Sequence, residues 1–185
     1  MEWILASASP RRRELLKAYI PVFAVIPAKG EEKAAVGFTP QQLVCALARQ
    51  KAEEVAALPE VQGKAVIGSD TVVAYAGEVL GKPKDEADAK RMLTMLSGQV
   101  HQVYTGVCVI LPSGERIVEA DCTDVAFEAL DEATIAAYIA TGSPMDKAGA
   151  YGIQDGGLVK GIEGSYSNVV GFPCELFEKM LKRIK

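Results

Sequence analysis

The chain has 185 residues, is 49% hydrophobic and 24% charged, and carries a formal net charge of −4. That length allows one compact domain or two tightly packed lobes, and the composition excludes a disordered chain. The acidic balance argues against a duplex-binding protein, so any anion must be held by a local cluster, of which Arg11-Arg12-Arg13 is the obvious one.

Trp3-Ile4-Leu5-Ala6 predicts a short buried strand. A helix follows at once, with Ser9 as N-cap, Pro10 at its first position, and Leu15, Leu16 and Tyr19 as an apolar stripe. Thr39 and Gln42 have capping-box spacing around Pro40 and open a second helix that runs to about Leu58. Val66-Ile67-Gly68 is a buried strand leading into Ser69-Asp70-Thr71-Val72-Val73, and Ala76-Gly77 suits a hairpin turn. Asp85 caps a helix that stops at Ser97-Gly98. His101 to Leu111 and Arg116 to Phe127 are longer strands joined by Pro112-Ser113-Gly114. Asp131 caps a helix ending before Gly142. A Gly-rich stretch from Ala148 to Gly157 precedes a short strand at Leu158 to Ile162, and a last helix spans Pro173 to Ile184. Strands and helices in this alternation predict an α/β or α+β fold with a mixed sheet.

Five segments could carry chemistry. In Ser7-Ala8-Ser9-Pro10-Arg11-Arg12 a strand feeds a helix N-terminus, whose unpaired N–H groups attract anions and whose two guanidiniums suit phosphate oxygens. Cations in a first helical turn are unfavourable by roughly 0.3–1 kcal/mol each, which favours an offsetting anion, although a solvated basic turn fits the same residues. Asp70 follows a buried strand, where open α/β sheets place ligands, and where turn aspartates are also common. Lys51 falls inside the stripe Val44, Ala48, Val55, Leu58 and needs an acid partner, a ligand or a snorkelling route to water. Pro83 biases Lys82 toward extended backbone in Gly81-Lys82-Pro83, either as a ligand contact or as an ordinary loop lysine. In Asp146 to Gln154, small residues permit close backbone approach, and Tyr151 and Gln154 offer a ring face and a two-way amide.

Absences narrow the chemistry. His101 is the one histidine and no nucleophile elbow lies near it, so a His-rich metal site is out and any metal is held by carboxylates and phosphate oxygens, which suits Mg²⁺ or Mn²⁺. The P-loop and Rossmann fingerprints are missing. Cys45, Cys108, Cys122 and Cys174 show no CxxC spacing and read as reduced thiols. With no signal-like or membrane-length apolar run, the expectation is a soluble cytoplasmic protein with no membrane partner.

In order along the chain, Leu-Ala-Ser-Ala-Ser-Pro-Arg-Arg (5–12), Glu31-Glu32-Lys33, Gln50-Lys51-Ala52, Gly68-Ser69-Asp70-Thr71, Gly81-Lys82-Pro83, Leu96-Ser97-Gly98 with His101 and Thr105, Asp146 to Gln154, and Gly164-Ser165-Tyr166 through Asn168-Val169-Val170-Gly171 together resemble the Maf family of nucleotide pyrophosphatases. The resemblance spans nearly the whole chain. It implies a single domain over 1–185 with an ITPase-like α/β fold, a mixed central sheet flanked by helices, and a cleft between two lobes, often in a homodimer. It implies triphosphate contacts at Ser7, Arg12, Lys51 and Lys82, acidic metal-site residues at Glu32 and Asp70, and Asp70 as the base that activates water. It implies a base-selecting set at Arg11, Thr71 and Gln154 of the dTTP/UTP class, acting on free nucleotides with no nucleic-acid polymer as partner. The alternatives are a pyrophosphatase for other or modified nucleotides and a non-catalytic nucleotide-binding regulator of cell division. Asp155 departs from the family's usual Gly, and Phe172 from its usual Leu.

Overall fold

The computed structural model describes residues 1–33 and 36–184. Seven strands form one sheet: β1 (Trp3–Leu5), β2 (Ala24–Val25), β3 (Ala65–Tyr75), β4 (Glu78–Leu80), β5 (Val100–Ile110), β6 (Arg116–Phe127) and β7 (Val159–Glu163). Their order is β2-β1-β3-β5-β6-β7, with β4 also on β3. β1 pairs in parallel with β2 and β3, while β3–β4 and β6–β7 are antiparallel, so the sheet is mixed as expected. The helices are α1 (Pro10–Lys17), α2 (Pro40–Ala56), α3 (Glu86–Leu96), α4 (Glu132–Ala140), α5 (Tyr166–Val170) and α6 (Cys174–Arg183). Among the described residues no helix is long and apolar enough to cross a membrane, and no disulfide joins any of the four cysteines.

Four helix starts follow from local chemistry. The side chains of Ser9, Thr39, Asp85 and Asp131 accept from the backbone N–H groups of Arg12, Gln42, Asp88 and Thr134. Thr39 and Gln42 complete the capping box reciprocally.

The chain divides into two compact units. The first comprises Met1–Asp70, Thr105–Asp121 and Gly171–Lys185. Its strands alternate strictly, as a pleated sheet requires. Leu5, Ile67, Val107 and Val109 pack with Leu16 of α1 and Phe177 and Met180 of α6. Ile4, Val66, Cys108 and Ile110 pack with Ala48, Ala52 and Val55 of α2. Two glycines let α2 come close. A Cβ at Gly68 would lie 2.2 Å from the Ala48 carbonyl oxygen, and one at Gly106 would lie 2.3 Å from that of Val44.

The second unit comprises Thr71–Tyr104 and Cys122–Val170. Its core joins Val73, Val103, Val125 and Phe127 from strands to Met92, Leu93 and Leu96 of α3 and Ile135 and Ile139 of α4. His101 is fully buried here, its Nε2 2.7 Å from the Tyr151 hydroxyl, with Phe127 and Tyr151 edge-on to its ring. Burial alone pushes its pKa down to about 4.

Candidate active site

Asp70 lies within its strand, whereas the sequence predicts that it follows one. β3 continues through the β-branched run Thr71-Val72-Val73, so Asp70 lies mid-strand, between Ile67, which pairs with β1, and Val73, which pairs with β4. The two-residue period puts it on the same face as Val66 and Gly68, toward α2. Lys51 stands on that helix, one turn beyond Ala48. Its Nζ donates to Asp70 Oδ1 at 2.5 Å and also contacts Glu32 Oε1 at 2.8 Å. The lysine that the apolar stripe left unexplained thus has two acid partners.

Glu32 reaches this point because α2 holds its segment. The Gln50 side chain accepts from the Lys33 N–H at 3.0 Å and donates to the Glu31 carbonyl at 2.6 Å. Glu54 accepts from the backbone N–H groups of Lys29 and Gly30 at 2.6 and 3.0 Å. Sequence reasoning missed the supporting roles of Gln50 and Glu54. Their signal was helical spacing, since residues 50, 51 and 54 lie on adjoining turns of α2.

Arg12 turns back from the first turn of α1. Its Nε donates to the Gly171 carbonyl at 2.8 Å and its Nη1 to Ser7 Oγ at 3.3 Å, while Ser7 Oγ also accepts from the Ser9 N–H at 3.2 Å. Ser7 is buried. Desolvation lowers the Arg12 pKa, opposed by the Asp70 carboxylate. Burial raises the Asp70 carboxyl above its ordinary value, and Lys51 and Arg12 pull it back. Part of the anion that the arginine run needs is therefore this unit's own Asp70 and Glu32. Ser7, Arg11, Arg12, Glu32, Lys51 and Asp70 all belong to the first unit.

Thr71, Lys82 and Gln154 belong to the second unit. Thr71 is half-buried on β3. Lys82 is exposed beside the buried ring of Pro83. Gln154 is exposed on a 3-10 turn, Ile153–Asp155. The segments of Lys82 and Gln154 are tied together, since the Gly149 N–H donates to the Gly81 carbonyl at 3.1 Å. Gly149 and Ala150 both adopt positive φ, 69° and 63°, and a Cβ at Gly149 would meet Val73 Cγ2 at 2.7 Å. Only glycine fits the first of these positions without displacing β3.

Among the described residues no three His, Cys, Asp or Glu side chains gather as a metal cage. Two carboxylates converge on one ammonium instead, beside a desolvated guanidinium. Such a set can bind an anion through Lys51 and Arg12 and can accept a proton at Asp70. The family model described as Maf-like protein matches residues 2–184. The chain belongs to the Maf family. Within it, the chain is 52% identical over 179 residues to the dTTP/UTP pyrophosphatase of Thermococcus gammatolerans, covering 96% of this chain and 94% of that one. It is likewise 52% identical over 181 residues to the dTTP/UTP pyrophosphatase of Thermococcus kodakarensis, again covering 96% and 94%. The fold of this Maf chain is also that of the Ham1 protein of Staphylococcus aureus, with a TM-score of 0.57 and 18% identity over the whole of both chains.

Proposed function

We propose that this Maf-family chain hydrolyses dTTP and UTP to the nucleoside monophosphate and pyrophosphate. It is a nucleoside triphosphate pyrophosphatase, in line with the named activity of relatives that match it nearly end to end. The observation that carries the mechanism is the convergence of Asp70 and Glu32 on Lys51, with Arg12 close enough to feel Asp70.

In the reaction, Asp70 accepts a proton from water as the water oxygen bonds the α-phosphorus. The bond from that phosphorus to the α–β bridging oxygen breaks, and pyrophosphate leaves with the bridging oxygen. Lys51 and Arg12 favour the ionised form of Asp70 against its burial. With Ser7 and Lys82 they hold the triphosphate, so positive charge already faces the anion that develops on the leaving group. Glu32 and Asp70 form an all-oxygen carboxylate pair around a cation, the Lys51 ammonium, and so fit Mg²⁺ or Mn²⁺ held jointly with phosphate oxygens. A bound Mg²⁺ or Mn²⁺ would supply acidification of the attacking water and screening of phosphate charge. Gln154 donates to O4 and accepts from N3–H of thymine or uracil, with Arg11 and Thr71 completing base selection. The two bases differ by one methyl, worth about 1–3 kcal/mol, so both are accepted. A net charge of −4 suits a free nucleotide better than a polymer, and four cysteines with no disulfide among them suit the cytoplasm.

Product analysis tests this reading. dTTP should yield dTMP and pyrophosphate, with dTTP and UTP preferred over purine triphosphates in competition. dTDP and orthophosphate as products, or a clear preference for ATP or GTP, would overturn it.

A further inference from the structure

The segment that carries Glu32 is bonded to side chains of α2 where a strand would be bonded to another strand. Gln50 Oε1 accepts from the Lys33 N–H at 3.0 Å and Gln50 Nε2 donates to the Glu31 carbonyl at 2.6 Å, so one amide grips the residue before Glu32 and the residue after it. In a parallel sheet, one backbone residue of the neighbouring strand makes the same two bonds. Glutamine suits the task because its amide both donates and accepts, whereas an ionised Glu accepts only. One turn further on, Glu54 takes the N–H groups of Lys29 and Gly30, and a Cβ at Gly30 would meet Glu54 Oε2 at 2.7 Å. Lys51, next to Gln50 on the helix, holds the other end of Glu32, with its Nζ 2.8 Å from Glu32 Oε1. The backbone and the carboxylate of Glu32 are thus held from adjacent positions of one helix, and Asp70 shares the same ammonium.

We propose that Gln50 is a positioning residue for Glu32, holding residues 31–33 on α2 so that the Glu32 carboxylate stands beside Asp70 as the second acid of a divalent-cation site. The inference rests on the pyrophosphatase reading and on Glu32 and Asp70 as the acids of that site. Glu32 needs such a device. It lies in no helix or strand, so no periodic structure sets its distance from Asp70 on β3. Its side chain is 57% exposed, and an ion pair that open to water holds a long side chain only weakly. Lys51 therefore aims the carboxylate, and the two Gln50 bonds keep its backbone within reach. A cation of the size of Mg²⁺ demands near-ideal octahedral geometry, so a segment that drifts removes one of the two carboxylates from it. Gln50 acts through Glu32, as an outer hydrogen-bond partner acts through the ligand that it orients.

The test measures Mn²⁺ binding by electron paramagnetic resonance, in the presence of a dTTP analogue with a non-hydrolysable α–β bridge, together with kcat/KM for dTTP, melting temperature and amide exchange at Lys33. Wild type is compared with Gln50→Met, Lys33→Pro, Glu32→Gln and the double variant Gln50→Met/Glu32→Gln. Gln50→Met keeps side-chain length and helix propensity but makes neither bond. Lys33→Pro removes the donated N–H from the other side and leaves α2 intact, so it decides the matter if Gln50→Met fails to fold. Each of these two should weaken Mn²⁺ binding and lower kcat/KM about tenfold, with the melting temperature little changed. Exchange at Lys33 should accelerate in Gln50→Met. In the Glu32→Gln background, adding Gln50→Met should change either quantity by less than about twofold, a non-additivity that a merely structural role would not produce. Wild-type Mn²⁺ affinity in folded Gln50→Met and Lys33→Pro proteins, or losses that simply add to those of Glu32→Gln, overturn the inference and leave the pyrophosphatase reading standing. Wild-type affinity in Glu32→Gln overturns Glu32 as a cation acid, and a wild type that releases no pyrophosphate overturns the pyrophosphatase reading; in either case the inference falls with it.

Discussion

The side chain of Asp70 is held between opposed influences, and each has a measurable consequence. Burial raises its pKa, while Lys51 first and then Arg12 lower it. Only the ionised carboxylate accepts a proton from water, so kcat/KM should fall with acid along a limb whose midpoint lies above the ~3.9 of a free Asp. A pH–rate profile flat to pH about 4 would contradict this assignment. Lys51→Met removes the cation that opposes burial, so the limb should move to higher pH, and affinity for the triphosphate should weaken at the same time. An unmoved limb in a folded Lys51→Met protein would separate Lys51 from Asp70 in function. Neither residue declares its role by pattern alone. Lys51 was visible as an anomaly in an apolar stripe, but its two acid partners lie 19 residues on and in the segment before α2. Glu32 lies outside any helical or strand periodicity and was legible only through the resemblance.

Where elements meet, the site depends on α2 lying against β3 and β5 at backbone distance. Gly68 and Gly106 permit it. Gly68→Ala would drive a methyl group into the Ala48 carbonyl and the Ala52 N–H, at 2.2 and 2.8 Å, so the helix must move and carry Lys51 with it. Overpacking of this kind costs about 1–3 kcal/mol, and thermal unfolding should show it. Turnover should fall further than the loss of folded protein accounts for, because Lys51 lies between Ala48 and Ala52 on the same helix. Strand β5 makes a second prediction through His101. An unfolded His titrates near ~6.5 and the buried one near about 4. Between those values the unfolded state binds more protons, so stability rises with pH through the window and levels off above it. Acidification across the window should remove roughly 3 kcal/mol, seen by urea unfolding at several pH values. His101→Gln should lose that part of the slope. The starts of α1 to α4 were legible because a cap is local, a hydroxyl or carboxylate three residues from its donor. The two-residue β2, the five-residue α5 and the strand order were not, because they depend on partners remote in the chain.

On the scale of the whole molecule, β3, β5 and β6 each contribute residues to both compact units. The sequence showed long apolar runs there and a mixed α/β fold, but not where one unit gives way to the other. For β3 that boundary falls between Asp70 and Thr71, at the residue proposed as the base. The proposed residues divide accordingly, with the acids, Lys51 and Arg12 in one unit and Lys82 and Gln154 in the other. Activity as a whole should require a divalent cation. Pyrophosphate release should vanish in EDTA and return with Mg²⁺ or Mn²⁺, and full activity in EDTA would remove the cation from the mechanism.

The central claim, that Asp70 is the proton acceptor of a pyrophosphatase, is tested most directly by one comparison. Pyrophosphate release from dTTP is measured for wild type and Asp70→Asn, with melting temperature and dTTP affinity taken on the same preparations. Asn is nearly isosteric, so the variant should fold and bind dTTP, and removal of a carboxylate that repels the triphosphate should tighten binding in the absence of metal. Its turnover should fall by about 10²–10⁴-fold, the usual cost of losing a general base. Near wild-type turnover in a stably folded Asp70→Asn protein would contradict the account.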